Sequence, residues 1–291
     1  MPSGISTVGA GAELTQEQVV GLLVEPLMAQ SVVLQARPRI FETSRGAPIL
    51  IPTIESYAIG TGVGAAATYW HAENELIGDT DPVFGEVTLL PSSLKSIKVL
   101  HRFSNELARL AVVNIANALR DAIVRRVALA VDRAFLIGEG TGNTVRGLTN
   151  TVGIQVRTYG TLEVDDLHDA VGAAMAVNAS PSCWFMHPDA FTTLRKQRAG
   201  GADGAYLLQP DPTAANVFRL LGLPVYPTTQ LPAGTVLLAD MSQVAVGRDL
   251  DASVKLLDQT FGDYDQLALR VVSRWDIAAL NPEGIVRMTS A

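Results

Sequence analysis

The chain has 291 residues, a formal charge of −7 at pH 7 and one cysteine. That length supports one large core or two smaller ones, and a lone Cys183 excludes an internal disulfide framework, so the fold must rest on packing. Charged residues are 18% of the chain against about 25% in a typical domain, and the negative balance disfavours a general nucleic-acid binder, which needs a cationic face to displace counterions. No apolar run approaches the length of a membrane span, and MPSGISTVGAGAEL at the N-terminus lacks the basic and apolar regions of a secretory signal. Neither membrane insertion nor secretion is expected.

In chain order, a small, glycine-rich leader precedes Thr15, which opens a capping box with Gln18 and predicts a short amphipathic helix ending near Gln30. Its apolar stripe (Val19, Val20, Leu22, Leu23, Leu27) packs either on its own domain or on a neighbour. Pro48–Thr53 reads as a β segment. The stretch from Glu55 to Pro91 is then too long for an idle loop. Gly60–Ala67 has almost no side chains, whereas Tyr69, Trp70 and Phe84 are large anchors interleaved with Glu73, Glu75, Asp79 and Asp81. This predicts a two-stranded arm with Phe84–Leu90 as its return limb, marginal alone and in need of a surface to lie on. Leu94–Phe103 alternates, with Ile97, Val99 and Phe103 on one face and Lys98, Leu100 and Arg102 on the other.

The stretch from Ser104 to Leu148 organises the rest. About thirty-three residues without proline or glycine show helical periodicity (Leu107, Ala111, Ile115, Ala118, Ala122), followed by four glycines within ten residues. Ser104 is expected to cap this helix, Glu106 to sit favourably in its first turn, and Gly138 to supply the left-handed residue at its end. At 1.5 Å per residue the rod would be roughly 50 Å long, against a usual globular helix of about 11 to 12 residues, and it calls for surfaces from other copies of the chain. Arg120, Arg125, Arg126 and Arg133 are expected to pair with Asp121 and Asp132 or with neighbouring subunits rather than form a nucleic-acid patch. Beyond it come an extended segment (Gly153–Tyr159), a helix (Asp166–Val177), a buried strand (Cys183–Met186) and a helix opened by Pro188. A glycine-rich loop (Ala199–Tyr206), short strands to about Leu257, one long alternating strand through Leu267, Leu269, Val271, Ser273 and Trp275, and a last strand near Ile285–Met288 complete the chain.

Catalytic patterns are missing. GEGTGN follows a helix, at its negative end, whereas phosphate loops follow a strand and open a helix. His71, His101, His168 and His187 have no metal-ligand spacing, and His187 reads as a helix cap. The carboxylates from Glu73 to Asp81 lack the glycine punctuation of a calcium loop. No catalytic, cofactor-binding or metal-binding residue is assigned.

The series TYWHAENELIGDTDPVFGEVTLLPSSLKSIKVLHRFSNEL, the long helix and DRAFLIGEGTGNTVRGL resemble the core of the tailed-bacteriophage major capsid proteins of the Hong Kong 97 type. The family's extended-loop pattern falls on Trp70 and Glu73, with Asp81 before the return-strand Phe84 and Val87; its spine-helix start falls on Ser104, Glu106 and Leu107. Its closing pattern falls on Asp132, Phe135, Gly138, Gly140, Gly147 and Leu148. Later runs (WFMHPDAFTTLRKQR, LLGLPVY, VLLADMSQVAVG, ALRVVSRWDIAALNPEGIVRM) also resemble the family, and the collinear likeness covers roughly residues 65 to 291.

The resemblance implies an α+β fold with an N-terminal arm (1–47), an extended β-hairpin loop with flanking strands (48–92) and a peripheral domain holding the spine helix (93–164). An axial domain (165–262) and return strands to the peripheral domain (263–291) follow. It implies a structural protein, not an enzyme, forming hexamers and pentamers of an icosahedral head in the virion, assembled in the host cytoplasm around double-stranded DNA contacted non-specifically. Scaffolding, portal and decoration proteins are the implied partners, with no membrane. Trp70, Glu73, Asp81, Phe84, Ser104, Glu106, Arg125, Arg126, Gly138 and Gly140 are the implied assembly contacts. The family's best-known member joins subunits through a lysine on the extended loop, but the first lysine here is Lys95, beyond the loop tip, so no such mesh is expected. No cleavable N-terminal scaffolding segment is visible. An encapsulin-like compartment, which shares this fold, and a soluble enzyme built on residues 165–261 are the alternatives.

Overall fold

The computed structural model describes residues 30–43, 47–57, 73–74, 82–90, 96–106, 115–142, 144–198, 204, 207, 218–249, 253–257 and 260–291. The expected helix from Thr15, as far as residue 29, the Gly60–Ala67 run, Trp70, Asp81 and Lys95 lie outside them.

A short helix α1 (Val32–Gln35) leads into β1 (Arg39–Thr43). The expected arm is present as β2 (Ile49–Tyr57) and β3 (Pro82–Leu89), antiparallel, with a bulge between Ile54 and Ser56. They form a two-stranded sheet that no other described strand joins. Pro52, which has no N–H to donate, is tolerated because β2 has only one neighbour. The hairpin is fixed to the body through its return limb. Leu89 and Leu90 are buried, the Cγ of Leu90 lies against bare Gly247, and Leu90 N–H donates to the buried Asp276 carboxylate at 2.9 Å.

β4 (Ile97–Ser104) runs up to the long helix α2 (Ile115–Ile137). At about 1.5 Å per residue, these 23 residues span roughly 35 Å; residues 107–114 of the expected rod lie outside the described set. Its buried stripe is Ile123, Val124, Val127, Ala128, Val131, Phe135 and Leu136, a helical repeat, whereas Ala122 of the repeat read from the sequence is exposed. After β5 (Gln155–Tyr159), α3 (Val164–Ala176) starts two residues earlier than expected, because Glu163 and Asp166 form a reciprocal capping box that the sequence reading passed over. β6 (Cys183–Met186) and α4 (Pro188–Lys196) fall as expected, and His187 does cap α4, its Nδ1 accepting Asp189 N–H at 3.3 Å. Then come β7 (Arg219–Leu220), β8 (Leu223–Pro227), β9 (Thr235–Ala239), β10 (Val244–Asp249), β11 (Ser253–Leu257), β12 (Gln266–Ser273), β13 (Trp275–Ala279) and β14 (Ile285–Ser290).

Three sheets besides the hairpin build the body: β5-β14-β9-β6-β8-β7, β1-β10-β13 and β11-β12-β4. The six-stranded sheet divides two cores, and side-chain alternation decides which residue enters which. Trp184, Met186, Val236, Leu238, Val286 and Met288 face α3 and α4. Cys183, Phe185, Leu237, Ala239 and Ile285 face the core of the long helix, which the two smaller sheets also line. The thiol of Cys183 is pushed up to about 12, chiefly by burial, so it stays protonated and inert at neutral pH.

One expectation changes here. The long strand expected through Trp275 breaks at Arg274, where the chain crosses from the β4 sheet (β12) to the β10 sheet (β13), and the Arg274 guanidinium meets the buried Asp249 carboxylate at 3.0 Å. The last strand enters the six-stranded sheet between β5 and β9, and its Ile285 faces the core of the long helix. Alternation assigns faces of a strand but not its neighbours.

Candidate assembly surface

α2 presents its outer face as Ala122, Arg125, Arg126, Leu129, Ala130 and Arg133, all exposed. Leu129 is 46% exposed amid the arginines, an apolar position that the described residues leave uncovered. The side chain of Asp121 lies outside the described set; among the described side chains Arg125, Arg126 and Arg133 have no carboxylate partner, and Asp132 does not serve them, because it points to the opposite side and is buried. Its Oδ1 accepts the Ser31 hydroxyl at 2.6 Å and Val33 N–H at 3.2 Å, and its Oδ2 accepts Val32 N–H at 3.0 Å. The expected arginine pairing of Asp132 is therefore replaced by a junction in which a helix carboxylate satisfies the first amides of α1. Burial raises the pKa of Asp132, and the three hydrogen bonds offset part of that rise.

The glycine-rich stretch folds back on the end of α2. Gly147 N–H donates to Gly138 O at 2.8 Å, Gly140 N–H to Val145 O at 3.2 Å, and Glu139 and Arg146 form an antiparallel bridge. The unpaired carbonyls of the last turn are met from downstream. Thr149 Oγ1 donates to Leu136 O at 2.7 Å, and Asn150 Nδ2 donates to Ile137 O at 3.1 Å and Gly138 O at 3.0 Å. Thr149 and Asn150 were missed from sequence, since nothing in their types distinguishes a cap reached across a turn from an ordinary loop residue.

The left-handed residue is Gly140 (φ 72°), not Gly138. Gly138 is required because a Cβ there would collide with Val145 O and Ala134 O, and a Cβ on Gly147 would come within 2.5 Å of Gly138 N and 2.7 Å of Ile137 N. Gly147→Ala is therefore expected to lower subunit stability by about 2 kcal/mol, because rigid backbone must move to admit the methyl; urea unfolding of the unassembled subunit measures it, and Gly160→Ala, at an exposed glycine with open space around it, serves as a surface comparison. Between this clamp, the start of β4 and the last turns of α2 lies an open groove of about 450 Å³, with Phe135 and Trp275 among its lining and Arg133 and Glu139 as its charged groups. The Ser96 and Thr144 residues add two hydroxyls to a lining that is otherwise mostly apolar.

The other sequence-selected positions do not converge on one point. Glu73 is exposed in a turn, and Phe84 sits in β3 opposite Ile54. Ser104 is the last residue of β4, opposite Gln266, and Glu106 is exposed in the helical turn after it. Among the described residues no group of three or more His, Cys, Asp or Glu side chains is placed to hold a metal ion, and no helix is long and apolar enough to cross a membrane.

A long helix clamped by glycines, a two-stranded hairpin and a six-stranded sheet with α3 and α4 on one face and the core of α2 on the other define an α+β fold of the Hong Kong 97 capsid type. The family model described as the phage capsid family matches residues 12–290, and the chain belongs to that family. A major capsid protein of Halomonas phage phiHAP-1 is 26% identical over 219 residues, which is 74% of this chain but 35% of that relative, so the chain spans about a third of its length. Among solved structures, a chain from Microbacterium phage Oxtober96 superposes with a TM-score of 0.70 at 16% identity, covering 100% of this chain and 96% of that one. The capsid of a native GTA particle gives 0.69 at 16%, covering 100% and 95%. The SrpI encapsulin of Synechococcus elongatus PCC 7942 gives 0.61 at 14%, covering 99% and 92%.

Proposed function

We propose that this chain is a major capsid subunit that self-assembles through hexamers and pentamers into an icosahedral phage head enclosing double-stranded DNA, and that it has no catalytic role. The observation that carries this reading is the β2–β3 hairpin, a two-stranded sheet joined by no other described strand. Such a ribbon is marginal in water and gains its stability by lying on another surface. Family membership and the exposed Leu129 face of the long helix support the same reading. Closed symmetric assembly then turns many modest contacts into one stable object. In this reading residues 1–47 act as an arm, 48–92 as the extended loop, 93–164 as a peripheral part and 165–262 as an axial part, with scaffolding, portal or decoration proteins as partners in the host cytoplasm.

Negative-stain microscopy of the purified protein tests the proposal. Closed isometric shells are expected, with DNA inside particles taken from a lytic infection. Shells filled with a cargo protein and free of DNA would support the encapsulin-like alternative, and a small discrete oligomer with saturable turnover would support the enzyme. Residues 46–94 contain no lysine, so the extended loop offers no amine for an amide bond to a neighbour. Mature shells are accordingly expected to run on a denaturing gel as one band near 30.9 kDa, and a ladder of multiples would refute this.

A further inference from the structure

The packing of the subunit leaves the arginines of α2 over. Asp132 is buried, and Glu139, the next carboxylate along the chain, lies past the end of the helix and makes no ion pair among the described residues. Arg126 and Arg133 are seven residues apart, two turns and about 10.5 Å along the axis, with Arg125 beside the first. Small Ala122 and Ala130 are exposed between and before them. Like charges gathered on one helix face repel, a cost that only an anion brought to that face offsets. The hairpin leaves from the other side of the body. In β10 and β13, Val244, Val246, Trp275 and Ile277 face the core of α2, and Gly247 and Asp276, paired in register, alternate with them on the far face. Leu89 and Leu90, at the root of the hairpin, rest on that far face against Gly247 and Asp276. The arginines point away from the same core in the opposite direction, so hairpin root and arginine face lie on opposite sides of the subunit.

Resting on the shell reading above, we infer that the Arg125, Arg126 and Arg133 face of α2 lines the inside of the shell and binds phosphates of the packaged double-stranded DNA. Three features favour a duplex over the carboxylates of another subunit. A duplex carries one negative charge per about 1.7 Å of its axis, so cations at a helical spacing meet phosphates in any register. Identical subunits facing one long genome need that tolerance, because phosphate contacts carry no sequence information. The small side chains of Ala122 and Ala130 leave room for a broad cylinder to come close, and a planar guanidinium fork matches phosphate geometry. Finally, the carboxylates that share a described helix, in α3, are already engaged in part: Asp166 accepts the Glu163 N–H at 2.8 Å, and Asp169 meets Arg157 at 3.8 Å. The other exposed basic face, Lys98, Arg102 and Arg270 on the β11-β12-β4 sheet, provides an internal comparison.

Binding of the unassembled subunit to a short mixed-sequence DNA duplex, followed by fluorescence anisotropy between about 50 and 200 mM salt, tests the inference. The logarithm of the affinity falls with the logarithm of salt by about 0.9 for each phosphate neutralised. A variant with Arg125→Gln, Arg126→Gln and Arg133→Gln is therefore expected to show a slope shallower by about 2.7, and affinity at least about tenfold lower at the low-salt end. Its shells are expected to form normally by negative-stain microscopy. All three residues are exposed and circular dichroism reads the fold; if the triple variant does not fold, Arg126→Gln with Arg133→Gln is expected to remove about 1.8 from the slope. Lys98→Gln with Arg102→Gln and Arg270→Gln is expected to leave the slope unchanged. An unaltered slope in the α2 variant overturns the inference, and so does a loss confined to the sheet variant, which would move the site to the opposite face. An α2 variant that binds DNA as wild type does but fails to assemble also overturns it, in favour of a neighbouring subunit as the ligand. Wild type that forms shells but shows no DNA binding removes this contact and leaves the shell reading intact; wild type that forms no shells sinks that reading itself.

Discussion

Ala122→Pro is expected to abolish closed shells. Ala122 is exposed on α2, so its methyl contributes nothing to the core, and the substitution acts on the backbone alone. Proline removes the N–H that bonds one turn back and drives its ring against the carbonyl there, a loss of about 3 kcal/mol or more. Against a total stability of about 5 to 15 kcal/mol, that is enough to populate the unfolded chain or to kink the rod. A kink here would misdirect the buried residues that follow at once, Ile123, Val124 and Val127, and with them the outer face carrying Arg125, Arg126 and Leu129. Ala122→Ser, which costs only about 0.5 kcal/mol of helix propensity, is expected to assemble normally. Circular dichroism and negative-stain microscopy read the pair. Particles of normal size from the proline variant would show that the continuity of this helix does not set the subunit geometry.

Asp132→Ala is expected to destabilise the subunit by about 3 kcal/mol, because it strands several buried or half-buried donors at once. The Ser31 hydroxyl and the amides of Val32 and Val33 all lose their acceptor. Asp132→Asn keeps one oxygen but presents an NH2 group to a donor, so it is expected to recover only part of the loss. The aspartate also leaves a pH signature whose sign follows from its environment. Its folded pKa lies above the ordinary value of 3.8 because burial penalises the charged form. The folded state therefore binds more protons than the unfolded state across the window from 3.8 up to the raised value, and this contribution falls as pH rises through that window. The stability difference between wild type and Asp132→Asn is expected to be largest at the acid end and smaller toward neutral pH. Urea titrations of the unassembled subunits from pH 3.5 to 7 test this, and a difference that grows with rising pH would contradict it.

Much of this architecture follows from local chemistry and was legible without coordinates. The helix ending at Ile137, the buried strand Cys183–Met186, the cap at His187 and the hairpin limbs around Pro52 and Phe84 are set by side-chain period and by proline and glycine, all of which act within a few residues. The family likeness rests on the same kind of information, ordered motifs along the chain. The candidate contacts were less legible, since Trp70 and Asp81 lie outside the described residues and Ser104 ends a strand.

What only the tertiary structure decided are the partners across long separations. Asp132 looked like a surface carboxylate among arginines and is the buried acceptor for Ser31, a hundred residues away. Gly138 looked like a left-handed stop and is a site of close backbone approach, while Gly140 takes the positive φ. The strand at Ile285 does face the long-helix core, but its neighbours β5 and β9 could not be read from its own residues. Period and residue type fix which face of an element is apolar, and so the sequence determined the elements and their buried sides. Which apolar face meets which, and which donor finds a given carboxylate, depends on how the whole set packs with the fewest voids and unpaired groups, and that is settled only when all the elements are in place.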